Sequence, residues 1–560
     1  MTDLLAQSNL WSGVHVGEQL FLFSPMIALT ATMLAVVACP LIAGRGARTI
    51  AAVSAIGILV TFVLALRVAR AVSDGGTSGL STVPAAGLLL VDNLSAGFQI
   101  VLIAFLAGVT YLWWLGSADR EADAPEFFIL LLGSALGMSL MVSTANLLMI
   151  VIAIETASLP SYAMVGFDKR DRLGAEASLK YMIFGAVSAA IMLYGASLLY
   201  GLIGSLSVAD LARYTFDRFS SGENVLLLSV ALLCFFAGIA FKISAVPFHF
   251  WCPDAFQGAK IEVTTWLSVV SKAAGLILLA RIVSIFCSAV DNPQAMHMIA
   301  PLAWTIGIIA AVTCTVGNFA AYKQQSVKRL LAYSSIAHAG YMMMAAAVFL
   351  HPQSGGYEAG LSALLFYIVV YLFMNLGAFG VTALVGWETG GDSIEAFTGL
   401  MRRSPGLAIP MVVCLMSLVG LPPFAGFLGK WWILVALGAM DQPLGWFLII
   451  VAAVNTFISL YFYLRIVVQM TLRDRGDAKV RSPIGGVALV NLCAIALLVL
   501  FVFAAPLKNE ADRFTRNLFR PVASVASRDA SPDAAPTNLA EGTIPPSQGG
   551  TGGGRWLRSH

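Results

Sequence analysis

Long apolar stretches follow one another along most of the chain, and they restrict the fold more than any other feature of the sequence. About fourteen of them have close to 20 residues each, the length that an α-helix needs to cross a hydrocarbon core about 30 Å thick. The sequence therefore predicts an all-α polytopic membrane protein with about 14 transmembrane helices. The predicted segments are 25–42, 49–68, 94–115, 127–142, 147–165, 179–203, 225–246, 264–285, 299–321, 330–349, 361–385, 407–437, 444–464 and 486–505.

The composition supports this class and excludes several others. Hydrophobic residues make up 59% of the chain and charged residues 11%, whereas a soluble domain carries about 25% charged residues. Membrane lipid is thus an expected partner, while a net charge of +3 is too small to indicate nucleic acid. The seven cysteines show no CxxC spacing, so neither an iron–sulfur cluster nor a metal site is expected. Phosphate-loop and hydrolase motifs are missing too, which assigns any redox or hydrolytic chemistry to other chains.

Three lysines lie within or at the edge of apolar segments: Lys242 in the seventh, Lys272 in the eighth and Lys430 in the twelfth. An ammonium group in hydrocarbon costs about 2.5 kcal/mol or more, so such residues usually face the protein interior or a water-filled path. A lysine surrounded by apolar groups also releases its proton near neutral pH more readily than one in water. The alternative is a structural ion pair, but buried pairs stabilise little compared with apolar residues. The three lysines are therefore predicted to carry protons.

Prolines interrupt two of these segments beside the lysines. Pro247 follows Lys242, and Pro422 and Pro423 precede Lys430. A proline removes a helical hydrogen bond and frees a carbonyl, which a membrane tolerates only where protein or water satisfies that carbonyl. Broken helices at corresponding positions of two halves are typical of inverted-repeat transporters. The sequence thus predicts two inverted five-helix repeats, segments 4–8 and 9–13, with broken helices 7 and 12.

The same offset of five segments pairs segment five with segment ten, which carry Glu155 and His338. At an effective dielectric of 20, a carboxylate and an ammonium about 4 Å apart attract each other by about 4 kcal/mol. Opening or closing such a pair is large enough to decide whether the lysine keeps its proton. We therefore predict a charge pair between Glu155 and Lys242. His338 is interpreted as a relay or, alternatively, as a core histidine bonded to a carbonyl.

Lys180, His249 and Asp254 are secondary candidates for the same path. Lys180 lies near the start of segment six, where it either takes part in proton transfer or extends to the membrane interface. His249 and Asp254 follow the break in segment seven, and proton uptake competes there with helix capping or loop hydrogen bonds. Arg465, near the end of segment thirteen, is interpreted as an interfacial anchor.

Basic residues concentrate in the loops after the odd-numbered segments. By the positive-inside rule these loops are cytoplasmic, so both termini are expected on the outer, periplasmic side. The opposite loops carry little beyond a short set of arginines, namely Arg67, Arg70, Arg213, Arg218 and Arg281.

Five regions follow from these segments. They are an N-terminal three-helix region (1–120), a first five-helix repeat (121–290), a second five-helix repeat (291–475), a C-terminal helix (476–507) and a tail (508–560). Within the tail, residues 528–554 are rich in Ala, Ser, Pro, Thr and Gly, so they bury too little apolar surface to offset their ordering entropy, and the tail is predicted to be disordered or, alternatively, to act as a docking peptide.

Three strings are more specific than any single lysine: EASLKY at 176–181, FKISAVPFHFWCPD at 241–254 and AYSSIAHAGY at 332–341. They resemble the subunit N family of the proton-pumping NADH:quinone oxidoreductases, respiratory complex I, and the resemblance runs from segment four to segment thirteen. Lys260 and Ser271 stand where that family commonly has proline, and both departures leave the three lysines in place.

The resemblance implies a role for each candidate residue. Glu155 and Lys242 would form the charge pair that controls access from the cytoplasmic side, and Lys272 would be the central relay. His338 would bridge the two halves, and Lys430 would be the exit-side donor. The chain would be a non-redox subunit in the bacterial inner membrane, beside other membrane-arm subunits that include neighbouring antiporter-like subunits. No cofactor is expected in this chain, whereas NADH, FMN, iron–sulfur clusters and quinone are expected in partner subunits.

Two other classes of function stay open at this point. The chain is alternatively the large subunit of a multi-subunit cation/proton antiporter, which uses the same lysines without electron input. It is otherwise a structural scaffold subunit without transport, in which the ionisable residues have no role.

Overall fold

The computed structural model describes residues 16–73, 81–82, 88–117, 123–288, 296–349, 356–474, 480 and 482–515, and most of them are helical. The helices are α1 Val16–Leu22, α2 Ser24–Ala43, α3 Ala47–Ser73, α4 Asn93–Ser117, α5 Ala124–Val142, α6 Leu147–Val165, α7 Arg172–Ile203, α8 Val208–Ser221, α9 Val225–Ile243, α10 Trp251–Gly258, α11 Ile261–Trp266, α12 Lys272–Ser288, α13 Met296–Ala321, α14 Val327–Phe349, α15 Gly356–Thr389, α16 Leu400–Arg403, α17 Pro405–Val419, α18 Ala425–Gly438, α19 Pro443–Thr471, α20 Ile484–Val502 and α21 Ala504–Thr515. Two short antiparallel strands, β1 Ser81–Thr82 and β2 Leu90–Val91, precede α4.

The helices coincide with all fourteen predicted segments. In the described part of the chain, 12 helical spans are long and apolar enough to cross a membrane. Helix α14 occupies the predicted segment ten, and segment twelve is divided between α17 and α18. The prediction of an all-α polytopic membrane protein is therefore confirmed.

Helices that are neighbours in sequence pack together. Helix α5 lies against α6, α6 against α7, and α7 against α9, while α13, α14 and α15 form a similar series in the second half. The span that comprises α11 and α12 is the most enclosed of the described spans, since 94% of its most apolar stretch is buried in the protein. Lysine side chains placed on this span are therefore surrounded by protein rather than by lipid.

Two isolated β-bridges lie at corresponding places of the predicted repeats. Asn146, before α6, pairs with Ser207, and Ser326, before α14, pairs with Ser393. Each bridge joins the start of one long helix to the loop after the next long helix. These bridges support the pairing of segment five with segment ten, while the inverted relation of the two repeats stays a prediction.

Three of the helical spans are irregular near the lysines. Helix α9 ends at Ile243, and Ser244 adopts a left-handed conformation with φ 64°. The chain is then non-helical as far as Phe250, before α10 begins. Helix α17 ends at Val419 and is followed by Gly420 with φ 86°, before α18 begins. Between α11 and α12, five residues form a π-helical turn, Leu267–Ser271, a feature that is frequent at functional sites.

The structure corrects the position of Arg281, which we assigned to a loop. Arg281 lies within α12, and its Nη1 and Nη2 each donate to a carboxylate oxygen of Asp92 at 2.8 Å. Its Nε also donates to the carbonyl of Val142, at 2.9 Å. A charge inside an apolar segment requires such a partner, so this bidentate pair ties the start of α4 to the first repeat.

The boundary of the predicted tail is also wrong by a few residues. Residues 508–515 lie in α21, where Lys508 pairs with Asp512 and donates to Ser362 on α15 at 2.8 Å. The prediction of disorder for residues 516–560 lies outside the described residues.

Candidate functional site

Lys242 lies in the last turn of α9, immediately before the first break, and is almost fully buried. Its Nζ donates to Oγ of Ser158 on α6, at 3.1 Å. The Ser158 hydroxyl in turn donates to the carbonyl of Ile154 at 2.6 Å. The ammonium group is therefore held by a neutral hydroxyl between two helices of the first half.

Glu155 lies one helical turn before Ser158 on α6, and its side chain is partly exposed. The carboxylate and the Lys242 ammonium interact electrostatically, but no ion pair between them forms in the described part of the chain. The expected contact at about 4 Å is thus not closed in this structure. Because Ser158 takes the place of the carboxylate, the ammonium is free to exchange one partner for the other by a side-chain movement.

Lys272 is the first residue of α12 and is fully buried. Its Nζ donates to Oγ of Ser335 at 2.8 Å and lies 3.3 Å from Sγ of Cys252. The ring of Phe256 lies 4.6 Å from the same nitrogen. Ser335 belongs to α14, so this hydrogen bond joins the first half of the chain to the second. Sequence reasoning missed both Ser335 and Cys252.

His338 lies on α14, one turn after Ser335, and is buried. Its Nδ1 is 2.7 Å from the hydroxyl of Tyr367, and its Nε2 is 3.4 Å from the hydroxyl of Tyr463. The imidazole therefore bonds to two tyrosines of the second half, and not to a backbone carbonyl as in the alternative interpretation. Both neighbours carry an exchangeable proton, which suits a relay position.

Lys430 is buried in α18, just after the second break. Its Nζ donates to the carbonyl of Val419 at 2.8 Å and to that of Leu418 at 3.3 Å. In a continuous helix these carbonyls would accept from the residues four positions later, which are Pro422 and Pro423 and have no N–H. The lysine therefore satisfies the two carbonyls that the prolines leave free.

An aromatic ring connects Lys430 to the histidine. The Lys430 Nζ lies 4.3 Å from the centroid of the Tyr341 ring, and Tyr341 is one turn after His338 on α14. The hydroxyl of Tyr341 is 3.4 Å from that of Thr456 on α19. Helix α14 thus presents Ser335 to Lys272 at one position and Tyr341 to Lys430 two turns later.

At the first break, side chains other than its lysine bond to the backbone. The indole nitrogen of Trp251 donates to the carbonyl of Phe241 at 3.1 Å. The N–H of Val246 donates to Oγ1 of Thr313 on α13, at 3.0 Å. The second half of the chain therefore supplies one of the partners that hold the break of the first half.

Lys180 and Asp254 meet in a groove of about 510 Å³ between α7, α10 and α14. Lys180 pairs with Asp254 at 3.2 Å and with Glu176 at 2.6 Å, and Arg329 pairs with Asp254 at 2.5 Å. Arg329 is a member of this cluster that sequence reasoning missed. Lys180 is thus held by carboxylates rather than simply extended to the membrane interface.

His249 lies in the non-helical segment between α9 and α10, and its ring lines the same groove. The side chain is mostly buried and packs against Phe250 at 4.5 Å. Burial lowers the pKa of His249, and a hydrogen bond with the Pro247 backbone opposes this only in part. The imidazole is therefore neutral at pH 7 and able to accept a proton.

Arg465 on α19 is bonded to protein and is not a free interfacial anchor. Its guanidinium donates to the carbonyl of Tyr322 at 2.9 Å and also to that of Gln324. These carbonyls belong to the turn after α13, so Arg465 ties α19 to that turn. Among the described residues, no cluster of histidines, cysteines and carboxylates has the arrangement of a metal site.

Comparison with known proteins decides the family. The family described as NADH:quinone oxidoreductase/Mrp antiporter, TM matches residues 144–459, more than half of the chain. The chain belongs to this family. The matched region contains Glu155, Lys242, Lys272, His338 and Lys430.

Members of the family share both sequence and fold with this chain. A relative from an Anaeromyxobacter species, named NADH-quinone oxidoreductase subunit N, is 38% identical over 440 residues, which cover 75% of this chain and 83% of the relative. A chain of respiratory complex I from Thermus thermophilus is 29% identical with a TM-score of 0.69, covering 87% of this chain and 98% of that chain. A chain of the Mrp complex from a Dietzia species has a TM-score of 0.76 at 19% identity, over 90% of this chain and 99% of that chain, and so shares the fold. The resemblance to the subunit N family is therefore confirmed.

Proposed function

We propose that this chain is the proton-translocating subunit N of an NADH:quinone oxidoreductase. Quinone reduction in other subunits drives protons through Glu155, Lys242, Lys272, His338 and Lys430, of which the three lysines and the histidine are buried. The relative named subunit N supports this role, since its similarity extends over most of both chains. The chain itself is a non-redox subunit of the enzyme.

One observation supports this function more than any other: the three lysines are 1%, 0% and 8% exposed, and each lies beside an irregular turn of its helix. Apolar residues in these places would be at least as stable as buried charges, so stability alone does not account for three lysines. The hydrogen bond between Lys272 and Ser335 connects the buried lysines of the first half to the second half.

The first half works as an electrostatic switch. When the Glu155 carboxylate approaches Lys242, it favours the ammonium form, and when it withdraws, the ammonium is left with the Ser158 hydroxyl and releases its proton more readily. Moving one elementary charge across 100 mV involves about 2.3 kcal/mol, which is less than the attraction of about 4 kcal/mol that such a pair supplies. The switch is thus strong enough to drive a proton towards Lys272.

The second half completes the route. From Lys272 the route passes to Ser335 on α14, and His338 is one turn further along this helix. Tyr341, one turn after His338, contacts Lys430. Lys430 releases protons on the outer side, while the groove with His249, Asp254 and Lys180 takes them up from the cytoplasmic side. Helix breaks at these places let backbone carbonyls and side chains exchange partners at membrane depth.

The remaining parts of the enzyme belong to other chains. NADH, FMN, iron–sulfur clusters and quinone bind to partner subunits, and this subunit receives energy through contacts with its membrane-arm neighbours, including antiporter-like subunits. The protein spans the plasma membrane of a bacterium many times, with both termini on the periplasmic side, as the distribution of Lys and Arg favours.

Lysine substitutions in the whole complex test this function. We expect Lys242→Ala, Lys272→Ala and Lys430→Ala to assemble, while NADH-driven proton uptake falls about 10²-fold, as for loss of a positioned proton donor. Lys323→Ala, at an exposed lysine outside the site, serves as the matched control and pumps normally. Wild-type pumping in all three variants would leave a structural scaffold as the role of the chain.

The same preparation distinguishes the antiporter alternative. We expect the purified assembly to show flavin and iron–sulfur absorbance and to take up protons only when NADH is added. Sodium exchange in the absence of NADH, by an assembly without these absorbance bands, would instead identify a free-standing cation/proton antiporter.

A further inference from the structure

The contacts described above leave one step of the route without a residue. Lys242 is bonded to Ser158 within the first half, whereas Lys272 is bonded to Ser335 at the contact with the second half. Protons that pass from one lysine to the other require a group between them that both accepts and donates a proton. The side chains around Lys272 supply such a group.

Cys252 has the required position. It lies on α10, the short helix between the groove and Lys272, and is fully buried. Its Sγ is 3.3 Å from the Lys272 Nζ and 3.9 Å from Oγ of Ser335. A thiol both donates and accepts a hydrogen bond and exchanges its proton.

Tyr181, on α7, packs beside the residue that precedes Cys252. Its ring is stacked on Trp251 at 4.2 Å, and its hydroxyl is fully buried with no hydrogen-bond partner among the described residues. The hydroxyl interacts electrostatically with both Cys252 and Glu155. A buried hydroxyl without a partner costs free energy, so its retention at this place indicates a use beyond packing.

We propose that Cys252, together with the Tyr181 hydroxyl, carries protons between Lys242 and Lys272. This inference depends on the proposed function. In each transfer the thiol gives its proton to the neutral amine of Lys272 and receives one that originates from the Lys242 ammonium. One S–H bond breaks and another forms, so the sulfur ends as a thiol, Lys242 as an amine and Lys272 as an ammonium.

One other buried cysteine, Cys493, provides the comparison. Cys493 on α20 is about as buried as Cys252, and no contact between its sulfur and a lysine is found in the described residues. It belongs to the apolar core. A cysteine that only fills space is expected to tolerate alanine, whereas a proton carrier is not.

Three substitutions at one position separate transfer from packing. In the whole complex, Cys252→Ala is expected to lower NADH-driven proton uptake about tenfold or more, since a positioned acid or base contributes about 10²- to 10⁴-fold and water replaces part of it. Cys252→Ser restores most of the rate, because a hydroxyl receives one proton as it gives another. Cys252→Val keeps the bulk of the side chain and stays slow. Cys493→Ala, the matched control, pumps at the wild-type rate.

Infrared difference spectroscopy reports the thiol directly, because the S–H stretching band lies apart from other protein bands. The band that disappears in Cys252→Ser is expected to shift when NADH is added to the wild-type complex, as Lys272 changes its protonation. Lys272→Met abolishes this shift, and Cys493→Ala retains it.

The outcomes separate this inference from the function on which it depends. If Lys272→Ala stops pumping while Cys252→Ala and Cys252→Val pump at the wild-type rate, or if the thiol band does not move with NADH, Cys252 is a core residue and the inference is wrong. If the wild-type complex takes up no protons with NADH, the proposed function itself is wrong.

Discussion

The two helix breaks differ in the side chains that bond to their backbone groups. At the first break, Trp251 donates to the carbonyl of Phe241 and Thr313 accepts from the N–H of Val246, while Lys242 is bonded to the Ser158 hydroxyl. At the second break, Lys430 itself donates to the carbonyls that the prolines leave free. The first lysine is thus independent of the backbone of its break, and the second is part of it.

This difference separates a switch from a release group. Lys242 has Glu155 within electrostatic range, so its charge responds to the position of a carboxylate. Lys430 is held by carbonyl dipoles and by the face of the Tyr341 ring, and no ion pair of its ammonium is found in the described residues. Its proton affinity therefore depends on the geometry of the break and on the position of Tyr341, so it changes when α14, α17 or α18 move relative to one another.

Replacing each lysine by methionine is the strongest test of this comparison. We expect both Lys242→Met and Lys430→Met to lower NADH-driven proton uptake about 10²-fold. Only Lys430→Met leaves two buried carbonyls without a donor, at about 1–3 kcal/mol for each unsatisfied group. Ser158 keeps its hydrogen bond to Ile154 in Lys242→Met. Lys430→Met is therefore expected to have the lower melting temperature in purified complex.

Each variant also removes a buried ammonium, and this offsets part of the loss of stability in both. Equal melting temperatures would show that the carbonyls of Leu418 and Val419 find other donors. The second break would then not depend on its lysine.

A smaller effect is expected from Lys430→Arg. The guanidinium still donates to the carbonyls of the break, but it does not release a proton near neutral pH. We expect the melting temperature to return close to the wild-type value, with proton uptake above that of Lys430→Met and below wild type. If the arginine variant has as low a melting temperature as the methionine variant, hydrogen bonds from the side chain at position 430 do not account for the stability of the break.

The positions of the lysines and of both breaks were predictable, because an ammonium or a proline within an apolar run is visible in the sequence itself. Their partners were not. Ser158 is 84 positions from Lys242, and Ser335 is 63 positions from Lys272. A serine or cysteine within an apolar helix has no local signal that separates a relay from a core residue, so Ser158, Ser335 and Cys252 were not predicted as partners.

Charged residues inside the segments carried more information than we used. Arg281 falls within the predicted segment eight, and a charge in that position requires a buried acid as its partner. The partner is Asp92, which directly precedes α4. The sequence could not show that the contact between Glu155 and Lys242 is not formed. The Ser158 hydroxyl, one turn from Glu155 on α6, is the group that binds the ammonium instead. Fold class follows from hydropathy, whereas the state of the switch depends on distances of a few ångströms.

The smallest of the expected effects concerns Thr313, which holds the first break from the second half. Thr313→Val removes the acceptor of the Val246 N–H, at a cost of about 1–3 kcal/mol, while Thr313→Ser keeps the hydroxyl. We expect the valine variant to melt at a lower temperature than the serine variant and to lose less proton uptake than the lysine variants, because Lys242 keeps its bond to Ser158. If the valine and serine variants have the same melting temperature, the Thr313 hydroxyl does not stabilise the first break, and that break is held within its own half. The two breaks would then differ only in the role of Lys430.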